Sequence, residues 1–284
     1  MVFPAYVTAS LFWKKSAGEE MSSEKRIDKA IKNGIVLPLC KCSRYVAFSD
    51  CHRGTGNMSD NFLRNQHLYF AALEHYYSEG FFYLELGDGE ELWENRCFGQ
   101  IQECHNNVYR KFECFRQRGR FCKLFGNHDM ELKKELPESI ILKNQEGGRD
   151  ICMIHGHQAD FFNSVCWRLS RFLVRYLWKP LEQFGVNDPT SAARNYKKVQ
   201  KYELAMVEAA EKKNIYLFAG HSHRPHLVNG ALYVNTGSCV HPWGITAIEI
   251  EHMKMNLVKW FMGTKKDGTL YVQREVLEEG APIL

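Results

Sequence analysis

Five short apolar runs, each ending abruptly at polar residues, are the feature that most constrains the fold of this chain. The runs RYVAF, FFYLEL, RFCKLF, ICMI and IYLFA precede Ser49-Asp50, Gly87-Asp88, Gly126-Asn127, His155 and Gly220-His221. Runs of this length, with helical stretches between several of them, are typical of buried strands in an α/β protein. Because open α/β sheets bind ligands at the carboxyl ends of their strands, the polar residues are expected to gather there.

Length and composition indicate a globular protein with a substantial core. The chain has 284 residues, of which 45% are apolar and 25% are charged, so we expect one domain over residues 1–284. The formal net charge of +4 is too small to indicate binding to long nucleic acid. Any basic site for a partner must therefore be local.

The cysteines and the amino terminus together predict a cytoplasmic protein. The ten cysteines are scattered and form no C-x-x-C pair, which favours free thiols in a reducing compartment. Cys40-x-Cys42 alone is too little to indicate a zinc site. No apolar stretch reaches the 18 residues of a membrane span, and Lys14 and Lys15 follow the first apolar stretch, an order unlike that of a signal peptide.

Between and after these runs, the sequence predicts helices and further strands. Helices are expected at 20–33, 61–79 and about 90–118. The strand-like segments ALYVNTGSCV, ITAIEIE and KMNLVKWF follow near the carboxyl terminus. We expect these three segments to form a second sheet that packs on the first.

Residues 158–213 differ from the rest and are expected to form a helical insert between two strands. Within 161–179 an apolar stripe runs beside a basic one at helical spacing. The apolar stripe contains Phe162, Val165, Leu169, Phe172, Tyr176 and Leu177, and the basic stripe contains Arg168, Arg171, Arg175 and Lys179. A second helix is expected to carry Arg194, Lys197, Lys198 and Lys201. The first helix could line an acyl pocket, rest on an anionic membrane surface, or pack as a lid with its arginines in solvent.

The five polar clusters contain a set of residues that suits two metal ions. Together they supply Asp50, His52, Asp88, Asn127, His155, His221 and His223. One such cluster is weak evidence for a metal site, but five clusters in order, each after a predicted strand, are strong evidence. Imidazole, carboxylate and amide ligands favour Mn²⁺, Fe²⁺ or Zn²⁺ over calcium, and paired divalent ions can clamp a phosphate and activate water.

The order of the clusters resembles the calcineurin-like metallophosphoesterase superfamily. The blocks D-x-H, G-D, G-N-H-D, H-G and G-H-x-H lie between about residues 44 and 225, and GDGEELWE and GHSHRP are most similar to the UDP-2,3-diacylglucosamine hydrolase branch. The resemblance implies an α/β fold in which a two-sheet β-sandwich is flanked by helices and carries a helical insertion.

The resemblance also implies roles for individual residues. Asp50, His52 and His223 would bind one ion, Asn127, His155 and His221 the other, and Asp88 would bridge both. His128 would face the phosphate, where it could stabilise developing charge or protonate the leaving oxygen. Asp129 could orient the other ring nitrogen of His128.

Other candidates are open to two interpretations. Arg53 and Arg224 follow ligand histidines, so they could bind phosphate oxygens or form structural salt bridges. Glu91 could lie behind the ligands or begin a helix. His157 competes with His155 as a ligand, and the family pattern favours His155. Cys51, between Asp50 and His52, replaces the Leu, Thr or Pro usual there.

The sequence therefore predicts a dimetal phosphoesterase that hydrolyses a phosphate ester or pyrophosphate bond through a metal-activated hydroxide. The expected partner is a small phosphorylated substrate, including a nucleotide-lipid, with peripheral membrane contact through 161–179. The alternatives are a non-catalytic protein-binding scaffold with the same fold, or a protein phosphatase or nuclease of the same superfamily.

Overall fold

The protein contains two β-sheets with helices outside them, as a computed structural model shows for residues 22–57, 60–178 and 201–283. One sheet has six strands and the other five. The strands are β1 Ile35–Leu39, β2 Arg44–Phe48, β3 Phe82–Leu86, β4 Phe121–Leu124, β5 Ser139–Asn144, β6 Ile151–Ile154, β7 Tyr216–Ala219, β8 Tyr233–Asn235, β9 Ile245–Glu251, β10 Lys254–Thr264 and β11 Leu270–Pro282. The predicted α/β sandwich is confirmed.

Each sheet combines parallel and antiparallel pairs. The six-stranded sheet has the order β11-β10-β9-β2-β3-β4, in which β2, β3 and β4 are parallel to one another. The five-stranded sheet has the order β1-β5-β6-β7-β8, in which β6, β7 and β8 are parallel. All five predicted strands that precede polar clusters are present. They lie in these parallel groups, so their carboxyl ends share the edges of two facing sheets.

Helices cover the outer faces of the two sheets. The α-helices are α1 Ser23–Lys32, α2 Gln66–Ser78, α3 Phe98–Cys104, α4 Asn106–Gln117, α5 Phe161–Ser164, α6 Trp167–Leu173 and α7 Lys201–Lys213. Short 3₁₀ turns occupy Asn61–Arg64, Met130–Leu132 and His157–Ala159, and a π-helical turn, Val174–Trp178, follows α6. Ser22 caps α1, since its side chain accepts a hydrogen bond from the Lys25 N–H.

Within the described residues, three apolar clusters form the core. The central cluster lies between the sheets, where Leu84 and Ile248 of one sheet meet Met153 and Phe218 of the other. A second cluster packs α2 and α4 on the six-stranded sheet, and a third packs α1 and α7 on the five-stranded sheet. The candidate metal ligands therefore lie at one end of a well-packed β-sandwich.

Several boundaries differ from those expected. The helix predicted at about 90–118 begins only at Phe98 and is interrupted at His105. The carboxyl-terminal strands do not form a separate sheet: β9 pairs with β2, and β8 pairs with β7. Strand pairing depends on partners distant in the chain, which a local apolar pattern does not identify. Strands β1, β5 and β11 were not predicted.

The insert at 158–213 is helical where the structure describes it, and α7 packs on the five-stranded sheet, but the apolar residues between 161 and 176 are not packed as a lid. Phe162, Leu169 and Phe172 are 66%, 56% and 57% exposed. The arginines make the contacts instead, since Arg171 pairs with Glu131 and Arg175 donates to backbone carbonyls. The predicted basic residues Lys179, Arg194, Lys197 and Lys198 lie outside the described residues, and Lys201 begins α7. Among the described residues, no helix combines the length and apolar character of a transmembrane span.

The central cluster predicts which truncations destabilise the protein. Leu84 is fully buried between the sheets, whereas Val36 is 60% exposed on β1. Leu84→Ala is expected to lower the free energy of unfolding by about 2–5 kcal/mol, since the cavity is enclosed on both sides. The matched control Val36→Ala should change it by less than about 0.5 kcal/mol. Urea unfolding measures both, and equal effects would contradict the described packing.

Candidate metal centre

The ends of five strands bring the five polar clusters to one place. Asp50 and His52 follow β2, Asp88 follows β3, and Asn127 follows β4. His155 follows β6, and His221 and His223 follow β7. All seven side chains belong to buried residues. The structure therefore brings together every residue that the resemblance implied as a ligand.

One group consists of Asp50, His52 and His223. His223 Nε2 lies 3.3 Å from His52 Nε2 and 3.2 Å from Asp50 Oδ1. Atoms that share one tetrahedral cation at about 2.1 Å lie about 3.4 Å from each other. The spacing of this group thus fits one ion.

The other group consists of Asp88, Asn127, His155 and His221. His155 Nε2 lies 3.2 Å from Asp88 Oδ2 and 3.2 Å from Asn127 Oδ1. A ligand atom of His221 lies within 4.8 Å of those of Asp88 and His155. Asp88 Oδ2 is also 3.8 Å from His52 Nε2 in the first group. This carboxylate therefore stands between the two groups, as a bridging ligand would.

The backbone at these positions is strained. Of the eight non-glycine residues with positive φ in the described ranges, five are ligand candidates. These are Asp50, His52, Asp88, His221 and His223, with φ between 47° and 64°. A left-handed conformation at such residues costs about 1–3 kcal/mol each, and it persists where surrounding structure holds it. Strain concentrated in this way is typical of a functional site.

Glycines allow the strand ends to approach one another. A Cβ at Gly126 would lie 2.2 Å from Asp88 Oδ1, and a Cβ at Gly220 would lie 2.4 Å from Asp50 Oδ2. Any side chain there would displace a carboxylate of the site. This explains why glycine precedes Asn127 and His221.

Hydrogen bonds at Nδ1 orient the imidazoles of His52 and His155, so that Nε2 of each ring is directed toward the other ligand candidates. His155 Nδ1 donates to the Leu86 carbonyl over 2.8 Å, and His52 Nδ1 lies 2.8 Å from Glu91 Oε2. Their Nε2 atoms are then free to bind a cation. Asp50 Oδ1 is buried and accepts no hydrogen bond, although it lies close to His223. These donors and their orientation fit bound divalent ions.

The electrostatics of the site also favour a cation. Burial lowers the pKa of His155, but the Asp88 and Asp50 carboxylates outweigh it and raise the pKa to about 9. Burial raises the pKa of Asp88, yet His155 and His128 hold it well below its ordinary value. Both carboxylates therefore remain ionised in the core, and their charge attracts positive partners.

His128 lies beside the two groups and is held by Glu91 rather than by Asp129. Its Nδ1 is 2.7 Å from Glu91 Oε1, and its ring stacks on Trp93 with centroids 4.2 Å apart. Burial lowers the pKa of His128, but Glu91 and Asp88 raise it to about 10. Glu91 thus contacts both His52 and His128, and residues 90–97 form no helix.

The role predicted for Asp129 is wrong because its carboxylate points elsewhere. Asp129 accepts hydrogen bonds from the backbone N–H groups of Gly89 and Gly126. It therefore fastens together the loops after β3 and β4. Burial raises its pKa to about 7.

Arg53 is held by two buried carboxylates, which corrects the binding role expected for it. Its guanidinium is fully buried and donates to both oxygens of Glu85, at 2.9 and 2.7 Å, and to Glu90 at 2.7 Å. Lys123 pairs with the same two carboxylates. Arg53 is thus the structural salt bridge that the sequence had left as the alternative. Arg224 is partly exposed, with Nε 3.2 Å from Glu203 Oε1.

Asp160 and His157 lie next to the second group of ligand candidates. Asp160, which the sequence did not single out, lies with Oδ2 3.4 Å from His221 Nε2 and also caps α5. Only a three-dimensional contact identifies it. His157 is buried 5.4 Å from His155, centroid to centroid, and belongs to neither group. This geometry favours His155 as the ligand.

Measurement of the metal content tests whether each of the two groups of residues binds one ion. Wild-type protein equilibrated with Mn²⁺ and desalted is expected to retain two ions per chain by elemental analysis. His223→Ala should retain about one, since only one group loses a nitrogen ligand, and Asp88→Asn should weaken both. His157→Gln, a buried histidine outside the groups, is the control and should retain two. If the His157→Gln control lost an ion and His155→Gln did not, then His157 and not His155 would be the ligand.

Stability measurements test the position of Arg53. Arg53→Met leaves Glu85 and Glu90 buried with one cation fewer, so we expect a loss of about 3–5 kcal/mol in the free energy of unfolding. Arg116→Met, which removes an exposed pair with Glu113, should cost less than about 1 kcal/mol. If Arg53→Met instead kept its stability and lost only substrate affinity, the buried salt bridge would be the wrong description.

Two solved structures show a weak similarity to this chain. The chain is similar in structure to a predicted phosphoesterase from Streptococcus pneumoniae TIGR4, at 14% identity and a TM-score of 0.36, over 82% of this chain and 97% of that one. It is also similar to Chaetomium thermophilum Vps29, at 12% identity and a TM-score of 0.43, over 84% and 97% of the two chains.

A comparison with curated protein sequences found no match. The sequence profile of the calcineurin-like phosphoesterase superfamily domain matches residues 96–251. This segment covers more than half of the chain and includes Asn127, His155, His221 and His223. The protein therefore belongs to the calcineurin-like phosphoesterase superfamily.

Proposed function

We propose that the protein is a dimetal phosphoesterase that hydrolyses a phosphate ester or pyrophosphate bond. The observation that carries this proposal is the position of Asp88 between two ligand groups, with His128 beside them. Asp88 Oδ2 lies 3.2 Å from His155 Nε2 and 3.8 Å from His52 Nε2. The strained backbone at five of the ligand candidates supports a functional site over a scaffold that has only the fold.

The donor set supports Mn²⁺, Fe²⁺ or Zn²⁺ as the ions. Asp50, His52 and His223 would hold one ion, Asn127, His155 and His221 the other, and Asp88 both. When bound, two such ions supply an ionised water near neutral pH and positive charge beside the phosphate oxygens. The protein's own side chains would supply the other contributions to hydrolysis, which are contact with the phosphate and protonation of the leaving oxygen.

His128 would act on the phosphate through Nε2. Its Nδ1 is engaged by Glu91, so the other nitrogen is directed away from that carboxylate. A protonated His128 can donate to a phosphoryl oxygen or to the leaving oxygen. Stacking on Trp93 fixes the plane of the ring, and the His128 backbone N–H donates to Asp88 Oδ1 over 2.7 Å. The proposed proton donor, His128, is thereby held next to Asp88, the proposed bridging ligand.

We further propose that the described helical residues of the insert recognise the rest of the substrate. Arg175 donates to the carbonyl of Trp93, whose ring stacks on His128, so this region borders the site. Its exposed apolar residues Phe162, Leu169 and Phe172 would contact the acyl part of a nucleotide-lipid or an anionic membrane surface. A partly exposed Arg224 would pair with a phosphate oxygen. Motif similarity to the UDP-2,3-diacylglucosamine hydrolase branch supports this finer proposal.

Hydrolysis of nitrophenyl phosphates tests the proposed activity. Metal-stripped protein supplied with Mn²⁺ is expected to release nitrophenol from the mono- or bis-ester. Asp88→Asn should reduce the rate to that without metal. His128→Ala should lower kcat by about 100- to 10,000-fold while retaining its ions, because it removes a proton donor and no ligand.

His67→Ala provides the matched control, since His67 is exposed on α2. Its rate should equal that of the wild type. Two bound ions with no turnover of either ester would favour a substrate selected by the insert. Turnover that His128→Ala leaves unchanged would exclude the proton-donor role, and absence of both metal and turnover would favour the scaffold.

A further inference from the structure

Two thiols meet in the turn between β1 and β2. Cys40 Sγ and Cys42 Sγ lie 2.8 Å apart. The Ser43 N–H donates to the Cys40 carbonyl over 2.9 Å, which closes a β-turn over residues 40–43. The Cys40 N–H donates to Ser43 Oγ over 3.0 Å, and this hydroxyl is 3.3 Å from Cys40 Sγ. The turn therefore holds the two sulfur atoms facing each other.

The turn is also anchored and open to solvent. The Lys41 N–H donates to Glu146 Oε1 over 3.2 Å, which fastens the turn to the segment after β5. Cys42 is exposed and Cys40 is half-buried. Small reagents can thus reach a pair of thiols whose separation is already set by the backbone.

The pair is remote from the metal centre. The turn precedes the first residue of β2, Arg44, whereas Asp50 follows its last residue, Phe48. A five-residue strand spans about 16 Å, so the thiols and the ligands lie at opposite ends of the sheet. None of the metal-binding groups includes either cysteine.

We propose that Cys40 and Cys42 form a dithiol site that exchanges with small-molecule disulfides and closes to an intramolecular Cys40–Cys42 disulfide. The Cys40 thiolate attacks one sulfur of the small disulfide, whose S–S bond breaks and releases one thiolate. Cys42 then loses its proton to water and attacks Cys40 Sγ, which releases the second thiolate. Two electrons pass from the dithiol to the small disulfide, which leaves as two thiols.

The surroundings select Cys40 as the attacking group. Hydrogen bonds from the Cys42 thiol and the Ser43 hydroxyl hold the pKa of Cys40 below its ordinary value. The same contact raises the pKa of Cys42. The thiolate is the nucleophile, so attack begins at Cys40 and resolution comes from Cys42.

Reaction of the full chain with oxidised glutathione, followed by acid quenching and peptide mass analysis, tests the proposal. The peptide with both cysteines is expected to lose two hydrogens and to carry no glutathione. In Cys42→Ser the mixed disulfide should accumulate on Cys40, since the resolving thiol is absent. The variant is expected to fold normally because Cys42 is exposed.

Cys97 is the matched control, because it is also an exposed thiol. Cys40 should react with a chromogenic disulfide about tenfold faster than Cys97 at pH 7. Equal rates, or a peptide that carries glutathione on both cysteines without closing, would overturn the proposal. Metal content and hydrolysis should be unchanged in the oxidised protein, so the outcome is independent of the proposed phosphoesterase activity.

Discussion

The two buried carboxylates of Asp50 and Asp88 set the requirement that the rest of the site meets. A carboxylate in a protein interior stays ionised only where positive charge or hydrogen-bond donors compensate for the lost water. Here the Asp50 and Asp88 side chains accept from backbone N–H groups of His221 and His128 and face several imidazoles. Divalent cations would complete that compensation. The loops, their glycines and their left-handed residues follow from the need to converge on these two groups.

A separate network keeps protein cations away from the ligands. Arg53 immediately follows the ligand candidate His52, yet its guanidinium is bound by Glu85 and Glu90. Lys123 on β4 faces the same two carboxylates. Because these charges neutralise one another, they leave the Asp50 and Asp88 carboxylates to the metal groups. The short chain distance between Arg53 and His52 therefore does not imply a shared role.

The sequence predicted the strands that carry the ligands because a local signal marks each of them. An apolar run followed by Asp, Asn or His is readable without knowledge of the fold, and all five such runs are strands. The sheet partners of β8 and β9 were mispredicted because pairing is a long-range property. Asp160 was missed for the same reason, since its contact with His221 spans 61 residues. The neighbour of His128 was also assigned wrongly, because adjacency in sequence favoured Asp129 whereas the fold directs Glu91 to the ring.

Glu91 shows how one side chain can couple two functions of the site. One carboxylate oxygen contacts Nδ1 of His52 and the other contacts Nδ1 of His128, at 2.8 and 2.7 Å. Burial raises the pKa of Glu91, but His128 and His52 lower it to about 2, so it remains an acceptor for both rings. If either imidazole moves, the Glu91 carboxylate must move with it, and this changes the hydrogen bond to the other imidazole. In the proposed mechanism, metal binding through His52 and proton donation through His128 would depend on this one buried residue.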